Sequence, residues 1–265
     1  VQERPKSRES ERHLETLQKG LEILDLLERE PLSLSEIAEA MGIYKSRVMR
    51  LCGTLEHMGY LLRDRRSGSY RLGMRLLSLG RAYERTNPLL STIRPVLESL
   101  YERTGQSAFF YVLDGLKRVC IARVGDPRTF RLDTQEGIVR DLHYGSTGKV
   151  LLAFGSQDLR EAFFARMEEY PRLTPHTITD PKVFWDELKE VREKGYARSS
   201  EERVLGAAGM AAPVFFHSGE PAGALAVAGD ASVFTEEFLT EAVPILLEGA
   251  RSLSLKLGFR PPDNR

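Results

Sequence analysis

Hydrophobic residues recur at three- and four-residue steps through the first sixty positions. Leu14, Leu17, Leu21, Leu24 and Leu27 make one series, Leu34, Ile37, Ala38 and Met41 a second, and Val48, Leu51, Cys52, Leu55 and Met58 a third. Each series lies along one face of a helix with about 3.6 residues per turn, so three helices are predicted. Pro31 stops the first. Ser33, with Glu36 three residues on, forms a capping box that starts the second, and Gly42 ends it by taking a left-handed turn that other residues resist. The third helix, 44–58, has an apolar back and leaves Lys45, Ser46, Arg47 and Arg50 on or near its front. Tyr60, Leu61 and Leu62, then Tyr70, Arg71 and Leu72, flank a charged stretch holding the turn pair Ser67-Gly68, which reads as a β-hairpin. Helix, helix, glycine turn, helix and hairpin is the order of a winged helix-turn-helix.

Leu76, Leu77 and Leu79 predict a further helix reaching Arg85, where Asn87-Pro88 interrupts it. Leu90, Ile93, Leu97 and Leu100 predict the next, with Pro88 suited to its first turn. These two helices read as a connector and pairing surface. From Gly105 the texture changes to short aromatic and β-branched stretches at 107–113, 118–124 and 129–132. A helix follows Gly148, then helical stretches at 158–169 and 182–194, strands at 211–216 and 223–228, and a last helix at about 235–257. Strands and helices do not strictly alternate, so an α+β fold with an antiparallel-rich sheet and flanking helices is expected in place of a doubly wound one. The predicted organisation is a flexible arm at 1–12, a winged module at 13–73, linker helices at 74–104, a sheet domain at 105–258 and a tail at 259–265.

A length of 265 residues suits two domains, each with its own core. At 42% hydrophobic and 29% charged, with mean hydropathy −0.30, the chain is too apolar for disorder and too polar for membrane spans. Residues 1–15 lack an apolar targeting core, which makes the cytoplasm the expected location. Cys52 and Cys120 exclude a disulfide framework and read as reduced core residues. The net charge of zero conceals a skew: residues 1–86 carry +3 and the remainder −3, and from Lys45 to Thr86 ten basic residues face three acidic ones. Such a block attracts polyanions. A helix of this width fits the major groove of DNA, and arginines on a hairpin tip reach flanking phosphates or the minor groove. The residues assigned to duplex DNA are Ser35, Tyr44, Lys45, Ser46, Arg47, Arg50, Arg65 and Arg66. Arg47 and Arg50 are placed nearest the bases or neighbouring phosphates, Lys45 and Ser46 at phosphates, and Arg65 and Arg66 on the wing. A three-helix module for a protein partner is the alternative, and the gathering of cations on the third helix and hairpin favours DNA.

Gly145-Ser146-Thr147-Gly148-Lys149 is no phosphate loop, because His143 stands where that motif needs its first glycine and Val150 where Ser or Thr would hold magnesium. Its small residues still open a helix whose backbone donors suit a carboxylate or carbonyl oxygen. A second small-residue stretch, 207–210, follows Ser199-Ser200-Glu201-Glu202. The five histidines have no metal-ligand spacing, no Gly-x-Ser-x-Gly occurs, and Cys120 sits in an apolar strand. No catalytic group, metal or cofactor is therefore expected. An enzyme or a protein-binding scaffold stays as the rival reading.

Leu34-Ser35-Glu36-Ile37-Ala38, Lys45-Ser46-Arg47 with Arg50-Leu51, and Gly68-Ser69-Tyr70-Arg71-Leu72-Gly73 together resemble the IclR family of bacterial regulators. His143 with Gly148-Lys149 and Leu152-Ala153 is similar to a second motif of that family, as is Arg192 with Gly195-Tyr196, Glu201-Glu202, Gly206 and Ala211-Ala212-Pro213-Val214. The ordered set covers about residues 14–258. The resemblance implies a winged DNA-binding domain, a linker helix and a GAF-like effector domain, acting as homodimers or dimers of dimers on double-stranded operators. It also implies a small-molecule effector, commonly an organic or aromatic acid. By position the effector pocket would be lined by Thr129, Leu132, Arg140, Ser146, Thr147, Ser199, Ala207, Gly209, Ala226 and Ala228. Polar residues of glyoxylate-responsive relatives fall here on Ala226, Ala228, Ser199 and Gly209. A roomier, less polar cavity is expected from that, with an effector bulkier than a two- or three-carbon acid.

Overall fold

A computed structural model describes residues 14–125 and 134–260; the arm at 1–12, the strand expected at 129–132 and the tail beyond 260 lie outside these residues. The chain divides after Asn87 into two compact units.

In the first unit, α1 (Glu15–Leu26), α2 (Leu34–Met41) and α3 (Lys45–His57) precede a hairpin of β1 (Leu61–Arg63) and β2 (Tyr70–Leu72), then α4 (Met74–Thr86). The capping box forms: Ser33 Oγ accepts from Glu36 N at 3.3 Å and Glu36 Oε2 accepts from Ser33 N at 2.7 Å. Gly42 ends α2 at φ +61°. Ile23, Leu27, Ile37, Val48, Leu51, Cys52, Leu61 and Tyr70 close one core. The leucine series of α1 is divided between core and surface. Gly20, Ile23 and Leu27 turn inward, while Leu14, Leu17 and Leu21 lie on the surface. On α4, Met74, Leu77, Leu79 and Tyr83 are exposed as well.

The second unit opens with α5 (Pro88–Thr104) and is built on one antiparallel sheet in the order β5-β4-β3-β8-β7-β6. Its strands are β3 (Ser107–Asp114), β4 (Lys117–Val124), β5 (Val139–Asp141), β6 (Ala197–Ser200), β7 (Ala207–Phe215) and β8 (Pro221–Asp230). Between β5 and β6 run α6 (Gly145–Phe154), α7 (Gln157–Phe164) and α8 (Pro181–Lys194), and α9 (Glu236–Lys256) closes the unit. Leu97, Leu100, Leu246 and Leu253 of α5 and α9 cover one face of the sheet with Phe110 and Leu225. Leu151, Leu152, Phe163 and Phe184 of the α6–α8 layer cover the other. Each such side chain contributes about 1.5–3 kcal/mol by leaving water. This is the expected α+β architecture. β5 and β6 were not expected, and α6 begins at Gly145, ahead of the predicted start.

β7 outruns β6, which pairs with it only as far as Ala211. Backbone groups on the open side beyond that point belong to residues 213 and 215, because strand residues alternate and Ala207 O bonds toward β6 through Glu201 N. Pro213 has no N–H, and Phe215 N donates to Ser254 Oγ of α9 at 3.1 Å.

Candidate nucleic-acid interface and ligand cavity

The third helix sits on its apolar back, with Val48, Leu51 and Cys52 buried. Burial pushes the Cys52 thiol up to about 11, which makes it an inert core group. Tyr44 is 86% exposed ahead of the first turn, and Lys45, Ser46 and Arg50 are exposed on the front, as is Ser35 on α2. Arg47 differs, being half-buried with Nη2 at 3.1 Å from Glu15 Oε1 of α1. An exposed pair of this kind is worth less than about 1 kcal/mol, so a phosphate can replace the carboxylate.

The wing tip is ordered by Asp64, whose Oδ1 accepts from Arg66 N at 2.7 Å and Ser67 N at 2.9 Å. Those backbone donors, Ser67 first, hold its carboxyl below the ordinary aspartate value. Arg65 and Arg66 are exposed on the tip, and the Arg63 guanidinium lies 5.6 Å from the Tyr70 ring centre. At the wing root a Cβ on Gly73 would come within 2.3 Å of Gly59 O, so only glycine fits. The arrangement presents cations from one helix and one loop above a fixed apolar base.

A cavity of about 80 Å³ lies in the second unit, between the sheet and the start of α6. Arg140, Ser146, Thr147, Ser199, Ala207, Gly209, Ala226 and Ala228 line it; Thr129 and Leu132 lie outside the described residues. Larger groups share the lining with the small residues. Beside Ala226 and Ala228 stand Phe109 and Tyr111 of β3, Arg118 of β4, and Tyr144, Glu202 and Arg203.

Arg118 has no counterpart among the residues assigned from sequence. It is 5% exposed, and desolvation lowers its pKa from the ordinary arginine value. Nη1 donates to Tyr144 O at 2.7 Å, and the guanidinium lies 4.9 Å from the Tyr144 ring centre and 5.5 Å from that of Tyr111. Gly148 creates the space, since a Cβ there would stand 2.5 Å from Nη1 and 2.3 Å from Leu142 O. Its inward direction could have been read from the alternation of β4, because Arg118 and the buried Cys120 are two residues apart and share a face. Burial pushes the Cys120 thiol up to about 12 and the Tyr111 hydroxyl likewise to about 12, so neither ionises near neutrality.

Glu202 was also missed as a member of the site. Its Oε2 accepts from Gly145 N at 2.7 Å and its Oε1 from Lys149 Nζ at 2.6 Å. The chain's own carboxylate thus takes one of the helix donors expected to meet a ligand. Lys149 Nζ also reaches Glu187 Oε1 at 2.8 Å and Arg198 O at 3.0 Å. Glu201, left-handed at φ +56°, turns the backbone ahead of Glu202. His143 is buried against Tyr170, 4.6 Å ring to ring, with Nε2 3.1 Å from Pro171 O, and burial lowers its pKa. Among the described residues no cluster of His, Cys, Asp and Glu could hold a metal ion, and no helix is long and apolar enough to cross a membrane.

A basic helix and wing on one unit, and a charged cavity in the other, define the class of two-domain DNA-binding regulators. The family described as "Bacterial transcriptional regulator IclR C-terminal" matches residues 82–255, and "IclR helix-turn-helix domain" matches residues 16–65. This chain belongs to the IclR family of ligand-responsive, DNA-binding transcriptional regulators. It is similar to the HTH-type transcriptional regulator BhcR of Paracoccus denitrificans (strain Pd 1222), 31% identical over 249 residues that cover 93% of this chain and 88% of that protein. The crystal structure of the Thermotoga maritima IclR superposes with a TM-score of 0.72 at 31% identity, covering 93% of this chain and all of that one. An IclR homologue from Microbacterium hydrocarbonoxydans, complexed with 4-hydroxybenzoate, gives a TM-score of 0.78 at 23% identity over 91% of this chain and 98% of that one, a likeness of fold.

Proposed function

We propose that this regulator grips operator DNA through the front of α3 and the wing tip, and that a small organic acid in the cavity of the second unit changes that grip. Lys45, Ser46, Arg47 and Arg50 approach the major groove, with Ser35 and Tyr44 beside them, while Arg65 and Arg66 reach flanking backbone. The exposed cationic front of α3, opposite its buried Val48, Leu51 and Cys52, carries this reading. Thr129, Leu132, Arg140, Ser146, Thr147, Ser199, Ala207, Gly209, Ala226 and Ala228 are the effector contacts. The cavity serves as a sensor and performs no turnover; a Cys120 thiol held near 12 supports that. Domains follow the sequence boundaries, with a 13–73 reader, a 74–104 linker and a 105–258 sensor, working as a homodimer or dimer of dimers in the cytoplasm.

The test is operator binding against salt, using a duplex from upstream of its own coding sequence. Arg50→Ala and Arg66→Ala are each expected to weaken binding and to reduce the log–log salt slope by about 0.9, one phosphate contact's worth of counterions. Unchanged slopes in both variants would remove this surface from the interface.

A further inference from the structure

Beside the open stretch of β7 lies a groove that neither the operator surface nor the effector cavity uses. Gly195 ends α8 at φ +77° and β6 begins only at Ala197, so the flank of β7 at Pro213 and Phe215 is left without a neighbouring strand. The space beside it measures about 590 Å³, opens to solvent, and falls within the range of about 300–1,000 Å³ usual for small-molecule sites. Buried Ala212, Pro213 and Ala250 form its floor. Its walls are apolar: Phe215 lies 5.7 Å from Phe154 and 5.1 Å from Phe259, ring to ring, and Leu247 and Leu255 complete the lining from α9. Backbone pairing cannot fill the groove, because Pro213 lacks an N–H and Phe215 N is bonded to Ser254 Oγ. That hydroxyl is itself spent, donating to Ala250 O at 2.8 Å. Arg251 is the other polar side chain among the described lining residues, and it is exposed with no hydrogen bond or ion pair among the described residues. Glu248, one turn earlier on α9, is held by Arg103 Nη2 at 2.8 Å.

We infer that this groove is a second ligand site, separate from the effector cavity, and that it takes a medium-chain fatty acid, with the alkyl tail against the phenylalanines and the carboxylate on Arg251. Each methylene that leaves water for such a lining strengthens binding by about fourfold. The α9 stripe from Leu247 to Leu255 runs about 12 Å, so a two- or three-carbon acid leaves most of it wet while a longer tail covers it. Charge selects the head group. The one charge on the lining is an unpaired guanidinium, which matches a carboxylate with two parallel hydrogen bonds and offers a neutral or cationic amphiphile nothing comparable. The same charge disfavours a second copy of the chain as occupant. Two copies meeting through this groove about a twofold axis would enclose two arginines and, among the described lining residues, no carboxylate to pair them.

The experiment uses the full chain and titration calorimetry with butyrate, hexanoate and octanoate, and with octanamide and octylamine as neutral and cationic counterparts. Octanoate is expected to bind about fifteenfold more tightly than hexanoate, two methylenes' worth. Octanamide should bind about threefold more weakly than octanoate, and octylamine more weakly still. Arg251→Gln, a surface change that leaves the fold intact, should weaken octanoate by about threefold and leave octanamide as it was. Phe259→Ala, which removes a wall, should weaken both by about fivefold. Ala228→Leu, in the effector cavity, should change neither. Should Phe259→Ala fail to fold, the chain-length series and Arg251→Gln still decide. Octanoate no tighter than butyrate, equal binding of octanoate and octanamide, or unchanged octanoate affinity in Arg251→Gln would each overturn the inference. Octanoate binding that is lost in Ala228→Leu and kept in Phe259→Ala would also overturn it, placing the acid in the effector cavity. So would a mass in sedimentation equilibrium that falls in Phe259→Ala and is unmoved by octanoate, which would give the groove to a second copy of the chain.

Discussion

Lys149 ties three parts of the sensor unit together, because its ammonium reaches Glu202, Glu187 of α8 and the Arg198 carbonyl of β6. With its side chain 3% exposed and that of Glu202 7%, the pair has given up nearly all hydration. Removing one partner leaves the other charge stranded, at a cost of about 3–5 kcal/mol, whereas removing both charges costs much less. Lys149→Met is therefore expected to lower stability in urea unfolding by about that amount, and Lys149→Met with Glu202→Gln to recover most of it. A double variant as unstable as the sum of the singles would show that the two charges act independently. At this scale the sequence was legible where a motif fixes a position, as with the cavity-lining Ser146, Thr147 and Gly209. Arg118 was missed although it shares a face of β4 with Cys120; what the sequence does not show is that a glycine thirty residues away leaves it room.

At the level of elements, α1 and α4 each carry more apolar surface than their own unit buries. Leu17 and Leu77 are 60% and 58% exposed, and Leu14, Met74 and Tyr83 extend the two faces. If the protein works as the homodimer proposed above, such surface sits between its subunits. Leu17→Glu and Leu77→Glu are expected to halve the mass seen by sedimentation equilibrium while shifting the unit's own stability by no more than about 0.5 kcal/mol, as surface changes do. An unchanged mass in both would assign pairing to other surfaces. The leucine series announced a helix, but periodicity marks an apolar face without saying what covers it. Cap chemistry was plainer, since Ser33 and Glu36 specify a helix start through local bonds alone. β5 and β6 escaped because Val-Arg-Asp and Ala-Arg-Ser-Ser are short, polar edge strands whose existence depends on β4 and β7 beside them.

For the whole molecule, sensing and DNA binding reside in separate units, so the effect of one on the other is a coupling free energy. Reciprocity then gives a direct check. The small acid that binds best should change operator affinity by a factor of about 5–150, and saturating operator DNA should change the affinity for that acid by the same factor. Factors that disagree would mean that acid and operator meet different populations of the protein. The open side of β7 bears on how the molecule survives at high concentration. Foreign chains join a sheet by matching donors and acceptors along a bare strand, and here proline withholds one donor while a serine hydroxyl already occupies the next. Fibrous growth by strand addition finds no purchase along that stretch, so crowded copies have to meet through side chains, where recognition is selective.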